Sequence, residues 1–318
     1  MLPCAITVKS SPVLAYYLHH ATPIIVDFHG IALRWYGLAY VLGFLFGYYL
    51  YVWLAKRGYT DMKPEMVQDF ITWAAIFGVM LGGRLGWVIF YGWDKIKADP
   101  LSALKVWEGG MSSHGGILAL VLFTWWYSRT HKLSWTGIGD SLCVVACAGL
   151  FLVRCANFIN GELYGKPAGE PGGQASVPWA VIFPTELETD APPLELIKHD
   201  AAVREHLRAI LPPRHPSQIY EALLEGAFLF TVLWLLRTRA RLPRGLITGV
   251  FFILYAMLRI IGEIFRVPDP AWHLGPLSAG QALSLGMFVI GAAFIAWGVK
   301  TQEYEPALTR TPPDGKPA

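Results

Sequence analysis

Charge is scarce in this chain. Of 318 residues only 15% are Asp, Glu, Lys or Arg, 54% are apolar, and the net charge is +3. With a mean hydropathy of +0.41, that composition points away from a soluble domain and toward a polytopic membrane protein. The small net charge argues against nucleic acid as a partner and is compatible with an anionic membrane surface. Cysteine is scarce too. Cys4, Cys143, Cys147 and Cys155 contain no CxxC pair, so no disulfide framework, metal site or cofactor is expected. No basic flank and apolar core precede a small-residue cleavage site, so no signal peptide is expected. There is no P-loop, dinucleotide fingerprint, zincin helix or nucleophile elbow. If the chain is an enzyme, its nucleophile arrives with a second substrate. No internal repeat stands out, which weakens an inverted-repeat transporter.

What is present is a series of apolar runs. Spans are predicted at about 35–54, 70–90, 137–159, 219–236, 245–264 and 279–299. A further one comes from 117–127, which is too short to cross alone at 1.5 Å per residue and must either start near Gly110, drawing His114 to the membrane's edge, or be a tilted or re-entrant element. The thirteen Trp and fourteen Tyr suit so many interfacial helix ends. The fold expected is an all-α polytopic membrane protein of about seven transmembrane helices with a small extracytoplasmic head domain. Its parts are an N-terminal extracytoplasmic segment (1–33), transmembrane helices 1–4 (34–159), the head (160–216), helices 5–7 (217–299) and a flexible cytoplasmic tail (300–318). Residues 91–113 carry a weakly amphipathic stretch suited to the membrane surface.

Orientation follows from the short loops. Lys56, Arg57, Lys63, Arg129, Lys132, Arg237, Arg239, Arg241 and Arg244 fall on one side, against Lys95, Lys97, Lys105 and Arg266 on the other. The positive-inside rule makes the richer side cytoplasmic. The head, His114, Arg154 and the end of the sixth span then share the outer half.

Polar groups stand out against this background. Arg154, Asn157 and Asn160 recur every third residue at the end of the fourth span, followed by Gly161, Glu162 and Gly165. An arginine in the hydrocarbon costs roughly 2.5–3.5 kcal/mol on insertion scales and therefore takes a partner. Two readings stand: a receptor for a phosphate headgroup, or an Arg154–Glu162 salt bridge with asparagines as polar glue. Tyr255, Arg259, Glu263 and Arg266 form a second stripe, with either an anionic ligand or a self-neutralising Arg259–Glu263 pair behind it. His114, among serines and glycines, is either an exposed first-turn residue behind a serine cap or a proton acceptor. Arg84, flanked by glycines, has the same two readings as Arg154, while Tyr36 and Tyr40 could serve as interfacial aromatics.

Five blocks carry a resemblance: LRWYGLAY (33–40), GGMSSHGGILA (109–119), RCANFINGELYG (154–165), PRHPSQIYE (213–221) and LRIIGEIFRVPD (258–269). In order and character they resemble the bacterial prolipoprotein diacylglyceryl transferases, across nearly the whole chain. The resemblance implies an inner-membrane enzyme with an outward N-terminus. Such enzymes move the diacylglyceryl group of phosphatidylglycerol to the lipobox cysteine thiol of a preprolipoprotein, giving a thioether and glycerol 1-phosphate. It also implies that Arg154 and Arg259 hold the lipid phosphate, that Asn157, Glu162 and Gly165 shape the site, and that Glu263 and Arg266 support Arg259. Tyr36 and His114 match important positions, with His114 the candidate for proton handling, and Arg84 is a further candidate for the cavity. One departure is visible: Val153 and Cys155–Ala156 surround Arg154, where many relatives have smaller residues. A lipid or anion transporter using the same arginines, and a membrane scaffold, are the competing classes.

Overall fold

The apolar runs become long helices. The computed structural model describes residues 16–28, 31–105, 110–267, 273–274 and 277–306. Within it lie α1 (Trp35–Lys56), α2 (Pro64–Phe90), α3 (Ser113–His131), α4 (Trp135–Asn160), α5 (Ser217–Arg239), α6 (Leu246–Phe265) and α7 (Ala279–Thr301). Among the described residues, six of these are long and apolar enough to cross a membrane. The exception is α3, whose 19 residues reach about 28 Å but include His114, Ser128, Arg129, Thr130 and His131. Of the seven expected spans, α3 is thus the one that composition does not support. Local signals set several ends. Pro64 pre-organises the start of α2. Ser112 caps α3 by accepting from the Gly115 N–H at 3.3 Å, and Lys132 ends it in the left-handed region at φ 54°.

The chain forms two compact units. The larger comprises Tyr40–Leu150, Glu225–Met257 and Ser284–Ala318. Its apolar core includes Tyr51, Leu54, Met62, Phe70, Phe123 and Ile138. Glycines let α2 and α3 touch backbone to backbone: a Cβ on Gly86 would lie 2.5 Å from the Gly115 Cα. Close approach of small residues is the main source of helix association where lipid removes the hydrophobic driving force.

This unit also buries a charge network. Arg237, 1% exposed, donates to Ser141 Oγ at 3.2 Å, Glu305 Oε1 at 3.3 Å and the Tyr59 carbonyl. Arg244 reaches Glu305 Oε2 at 3.0 Å and Asp61 Oδ2 at 3.4 Å. Asp140 accepts from Gly245 N, Thr248 N and Thr248 Oγ1 at 2.7–2.9 Å. Two arginines counted as cytoplasmic loop charge are therefore interior fasteners. The tail expectation also changes: Glu305 is fully buried and Glu303 accepts from the Arg244 N–H, while 307–318 lie outside the described residues.

The smaller unit comprises Met1–Ala39, Phe151–Leu224 and Leu258–Leu283. Tyr17–Leu18 pairs in parallel with Val181–Ile182, and Ile24–Phe28 pairs antiparallel with Ile31–Arg34. Tyr16, Leu18, Ala180, Ile182, Ile197 and Leu207 form its core. The segment expected to lie apart at 1–33 thus supplies core residues from its described part, because a two-residue strand paired across more than 160 positions leaves no local periodicity. Helix Ala201–Ile210 is capped by Asp200, which accepts from Ala202 N and Val203 N.

Removing one member of a buried charge network leaves its partners uncompensated, at a cost of about 3–5 kcal/mol. Arg237→Met should therefore markedly lower the thermal unfolding midpoint in detergent, whereas exposed Lys56→Met should leave it within error. Equal midpoints for Arg237→Met and wild type would show that the network does not fasten the unit.

Candidate active site

Glu221 sits at the centre of the smaller unit's charged groups. It is fully buried at the first turns of α5, just before the helix relaxes to π geometry over Ala222–Phe228. Three guanidinium groups converge on its carboxylate: Arg154 Nε at 3.1 Å from Oε2, Arg259 at 2.9 Å from Oε1 and Arg266 at 3.0 Å from Oε1. The three arginine side chains are only 11–17% exposed, so solvent screens them less than it would charges on the surface. Arg154 comes from α4, Arg259 from the last turns of α6, and Arg266 from the residue just after it, bridged to Gly165. Even with Glu263 counted beside Glu221, three arginines leave a positive excess. Glu263, also buried, stands one turn from both Arg259 and Arg266 on α6.

The chain after α4 is built to stay close to this cluster. Gly161 takes φ +66° and Leu163 φ +56°, turning the backbone sharply after Asn160. Ser217 Oγ donates to the Leu163 carbonyl at 2.9 Å and Gln218 Nε2 to the Glu162 carbonyl at 2.6 Å. Gly165 N–H donates to the His215 carbonyl, and Lys166 N–H to the Phe265 carbonyl. A Cβ on Gly165 would meet the His215 and Phe265 carbonyl oxygens at 2.5 and 2.6 Å, so only glycine fits. Glu162 Oε1 accepts from Asn157 Nδ2 at 2.8 Å and Asn160 Nδ2 at 3.2 Å.

The head flanks this loop. Arg214 pairs with both carboxylate oxygens of Glu186 and lies over the Tyr164 ring. Burial, reinforced by Glu186, raises the Tyr164 phenol, and burial lowers His215 and His19 from the ordinary histidine value. Trp179 Nε1 can only donate, and does so to Tyr220 Oη at 2.6 Å. The Tyr220 hydroxyl also lies 3.2 Å from His215 Nδ1, linking Trp179, Tyr220 and His215 in one chain of polar contacts.

The sequence-predicted residues divide accordingly. Arg154, Asn157, Asn160, Glu162, Gly165, Arg259, Glu263 and Arg266 all belong to the smaller unit, as does Tyr36 in the first turn of α1. His114 belongs to the larger unit, exposed on the first turn of α3 behind the Ser112 cap. Tyr255 also belongs there, stacked on Phe251. Arg84, 5% exposed, donates to the carbonyls of Ser102, Ala103, Lys105 and Gly110 and covers the Trp87 ring. Its charge is thereby taken up by main-chain carbonyls of residues 102, 103 and 105 and of Gly110. Sequence reasoning missed Glu221 and Gln218 as site residues, although both lie in the PRHPSQIYE block, because no arginine stands within helical reach of either on α5.

Against known proteins, residues 23–297 match the family model described as prolipoprotein diacylglyceryl transferase. A Rhodospirillum centenum protein is 43% identical over 275 residues, 85% of this chain and 88% of its own length. One from Gluconacetobacter diazotrophicus is 41% identical over 93% of each chain, and one from Neisseria gonorrhoeae 39% identical over 89% of this chain and 98% of its own. All three carry the name phosphatidylglycerol–prolipoprotein diacylglyceryl transferase. With the family model matched over most of its length, the chain belongs to the prolipoprotein diacylglyceryl transferase family.

Proposed function

We propose that this protein transfers the diacylglyceryl group of phosphatidylglycerol to the cysteine thiol of a prolipoprotein's lipobox. The observation that carries the reading is the gathering of Arg154, Arg259 and Arg266 on buried Glu221, in a chain whose relatives bear that enzyme's name.

The chemistry is a displacement at the lipid's terminal glycerol carbon. A C–S bond forms, the C–O bond to phosphate breaks, and both electrons of that bond leave with glycerol 1-phosphate. The phosphate begins as a singly charged diester and departs as a monoester, gaining negative charge as the bond breaks. Fixed guanidinium groups in a poorly hydrated site favour the departing state over the bound one, which is the differential stabilisation a catalyst needs. Arg154 and Arg259 hold the phosphate, Glu263 and Arg266 support Arg259, and Asn157, Glu162 and Gly165 shape the site. The thiol supplies the nucleophile once its proton leaves, and His114 is the group we assign to take it, with Tyr36 assisting. The protein sits in the bacterial inner membrane with the head outside. Seven of the nine loop cations on the inner side remain as surface charge once Arg237 and Arg244 are set aside, against three on the outer once Arg266, buried on Glu221, is set aside too.

The primary test is mass spectrometry of a lipobox peptide incubated with purified protein and phosphatidylglycerol. Gain of one diacylglyceryl group supports the reading, and an unmodified peptide refutes it. In that assay Arg154→Lys and Arg259→Lys keep a charge but lose the planar fork. Each should fall about a hundredfold or more in rate, and full activity at normal folding would make these arginines structural. His114→Gln cannot gain a proton at neutral pH. Its rate should drop steeply near pH 7 and recover in part toward pH 9, as the substrate thiol ionises unaided near its intrinsic pKa of about 8.5. A pH profile parallel to wild type would remove His114 from proton transfer. Finally, Lys198→Cys should react with a membrane-impermeant thiol reagent in intact spheroplasts. Labelling only after lysis would reverse the orientation.

A further inference from the structure

Three carboxamides surround Glu162, and their orientations are settled by their partners. Asn157 and Asn160 place their NH2 groups on the Glu162 carboxylate, and Gln218 places its own on the Glu162 carbonyl. Both partners only accept, so each amide must turn its nitrogen toward Glu162 and its oxygen elsewhere. The three oxygens left over, Asn157 Oδ1, Asn160 Oδ1 and Gln218 Oε1, are buried and receive no hydrogen bond from the described residues. Asn157 is 3% exposed and Gln218 fully buried, the situation in which an unmade bond is most costly. Exchanging nitrogen and oxygen would not help, since it would set an amide oxygen against a carboxylate or carbonyl.

Their place in the fold indicates the missing donor. Asn157 lies one turn beyond Arg154 on α4, and Gln218 one turn before Glu221 on α5. On both helices, therefore, these acceptor-bearing residues are set off from the charged cluster by three positions, a rise of about 4.5 Å along the helix. That offset is comparable with the span from a phosphate to the hydroxyls of a glycerol esterified to it. A ligand that pairs an anion with O–H donors satisfies both halves together. A choline headgroup brings no donor, and ethanolamine brings a cation toward three arginines.

We propose that Asn157, Asn160 and Gln218 form a polyol subsite that reads the free hydroxyls of the headgroup glycerol while the arginines hold its phosphate. The proposal rests on the reading of the site as a phosphatidylglycerol site and names what selects that lipid. A site built to hydrogen-bond a hydroxyl rejects an analogue lacking it, because its own buried groups go unpaired.

The test compares phosphatidylglycerol with phosphatidylpropanol of the same acyl chains, a diester without headgroup hydroxyls, using the full chain in nanodiscs. Wild type should prefer phosphatidylglycerol by about tenfold or more in kcat/KM for lipid. Gln218→Met and Asn160→Leu should each shrink that ratio several-fold. Equal use of both lipids by wild type overturns the subsite, and this comparison decides the matter even if a variant fails to fold. A wild-type ratio retained in both variants overturns it too. Variants that raise KM for the lipobox peptide while keeping the lipid preference would overturn it by assigning the amides to the polypeptide. If wild type turns over neither lipid, the reaction assignment fails instead, and competition of the two lipids for the protein in native mass spectra still decides the subsite by the same ratio.

Discussion

One buried carboxylate holding three guanidinium groups is the interaction on which the smaller unit depends. Arginines at the ends of membrane helices are expensive unless something collects them, and Glu221 does so from the first turn of a different helix. Glu221, even with buried Glu263 beside it, sets fewer negative charges against three positive ones, which costs less than three isolated cations without quenching them. The site is thereby kept charged, close and dry without being neutral. The arrangement suits a ligand whose negative charge grows during reaction, and would suit poorly one that merely passes through.

Everything around the cluster keeps backbone near it. Gly161 and Leu163 turn the chain, Ser217 and Gln218 hold the turned loop by its carbonyls, and Gly165 lies against the carbonyls of residues 215 and 265. The glycines matter here through contact as much as through freedom, since a methyl at 165 would strike two carbonyl oxygens. The larger unit solves a similar problem differently. Its interior arginines, 237 and 244, meet three carboxylates, Asp61, Asp140 and Glu305, so there no positive excess remains and the charges serve to fasten helices. Arginine-rich helix ends thus take two forms in one chain, distinguished by how many carboxylates meet them.

Much of this was legible in the sequence. Apolar runs located the long helices to within a few residues, and the three-residue spacing of Arg154, Asn157 and Asn160 marked a polar face at the right helix end. The family resemblance on five blocks agreed with the comparison over residues 23–297. What could not be read was pairing between distant segments. The bland reading paired Arg154 with nearby Glu162, whereas the structure gives Glu162 to two asparagines and sets Arg154 on Glu221, 67 positions away. Hydropathy likewise cannot separate a surface loop arginine from Arg237, nor a mobile tail from one anchored through Glu305. Arg84 looked like a cavity arginine because glycines flank it. Those glycines instead serve helix contact, and the guanidinium is taken up by main-chain carbonyls.

The central claim is that the three-arginine cluster on Glu221 receives the phosphate of phosphatidylglycerol. Electron cryo-microscopy of the protein in phosphatidylglycerol nanodiscs tests it most directly. The account predicts headgroup density whose phosphate lies within hydrogen-bond reach of both Arg154 and Arg259. A headgroup bound elsewhere, with all three arginines still engaged only by protein carboxylates, would contradict it.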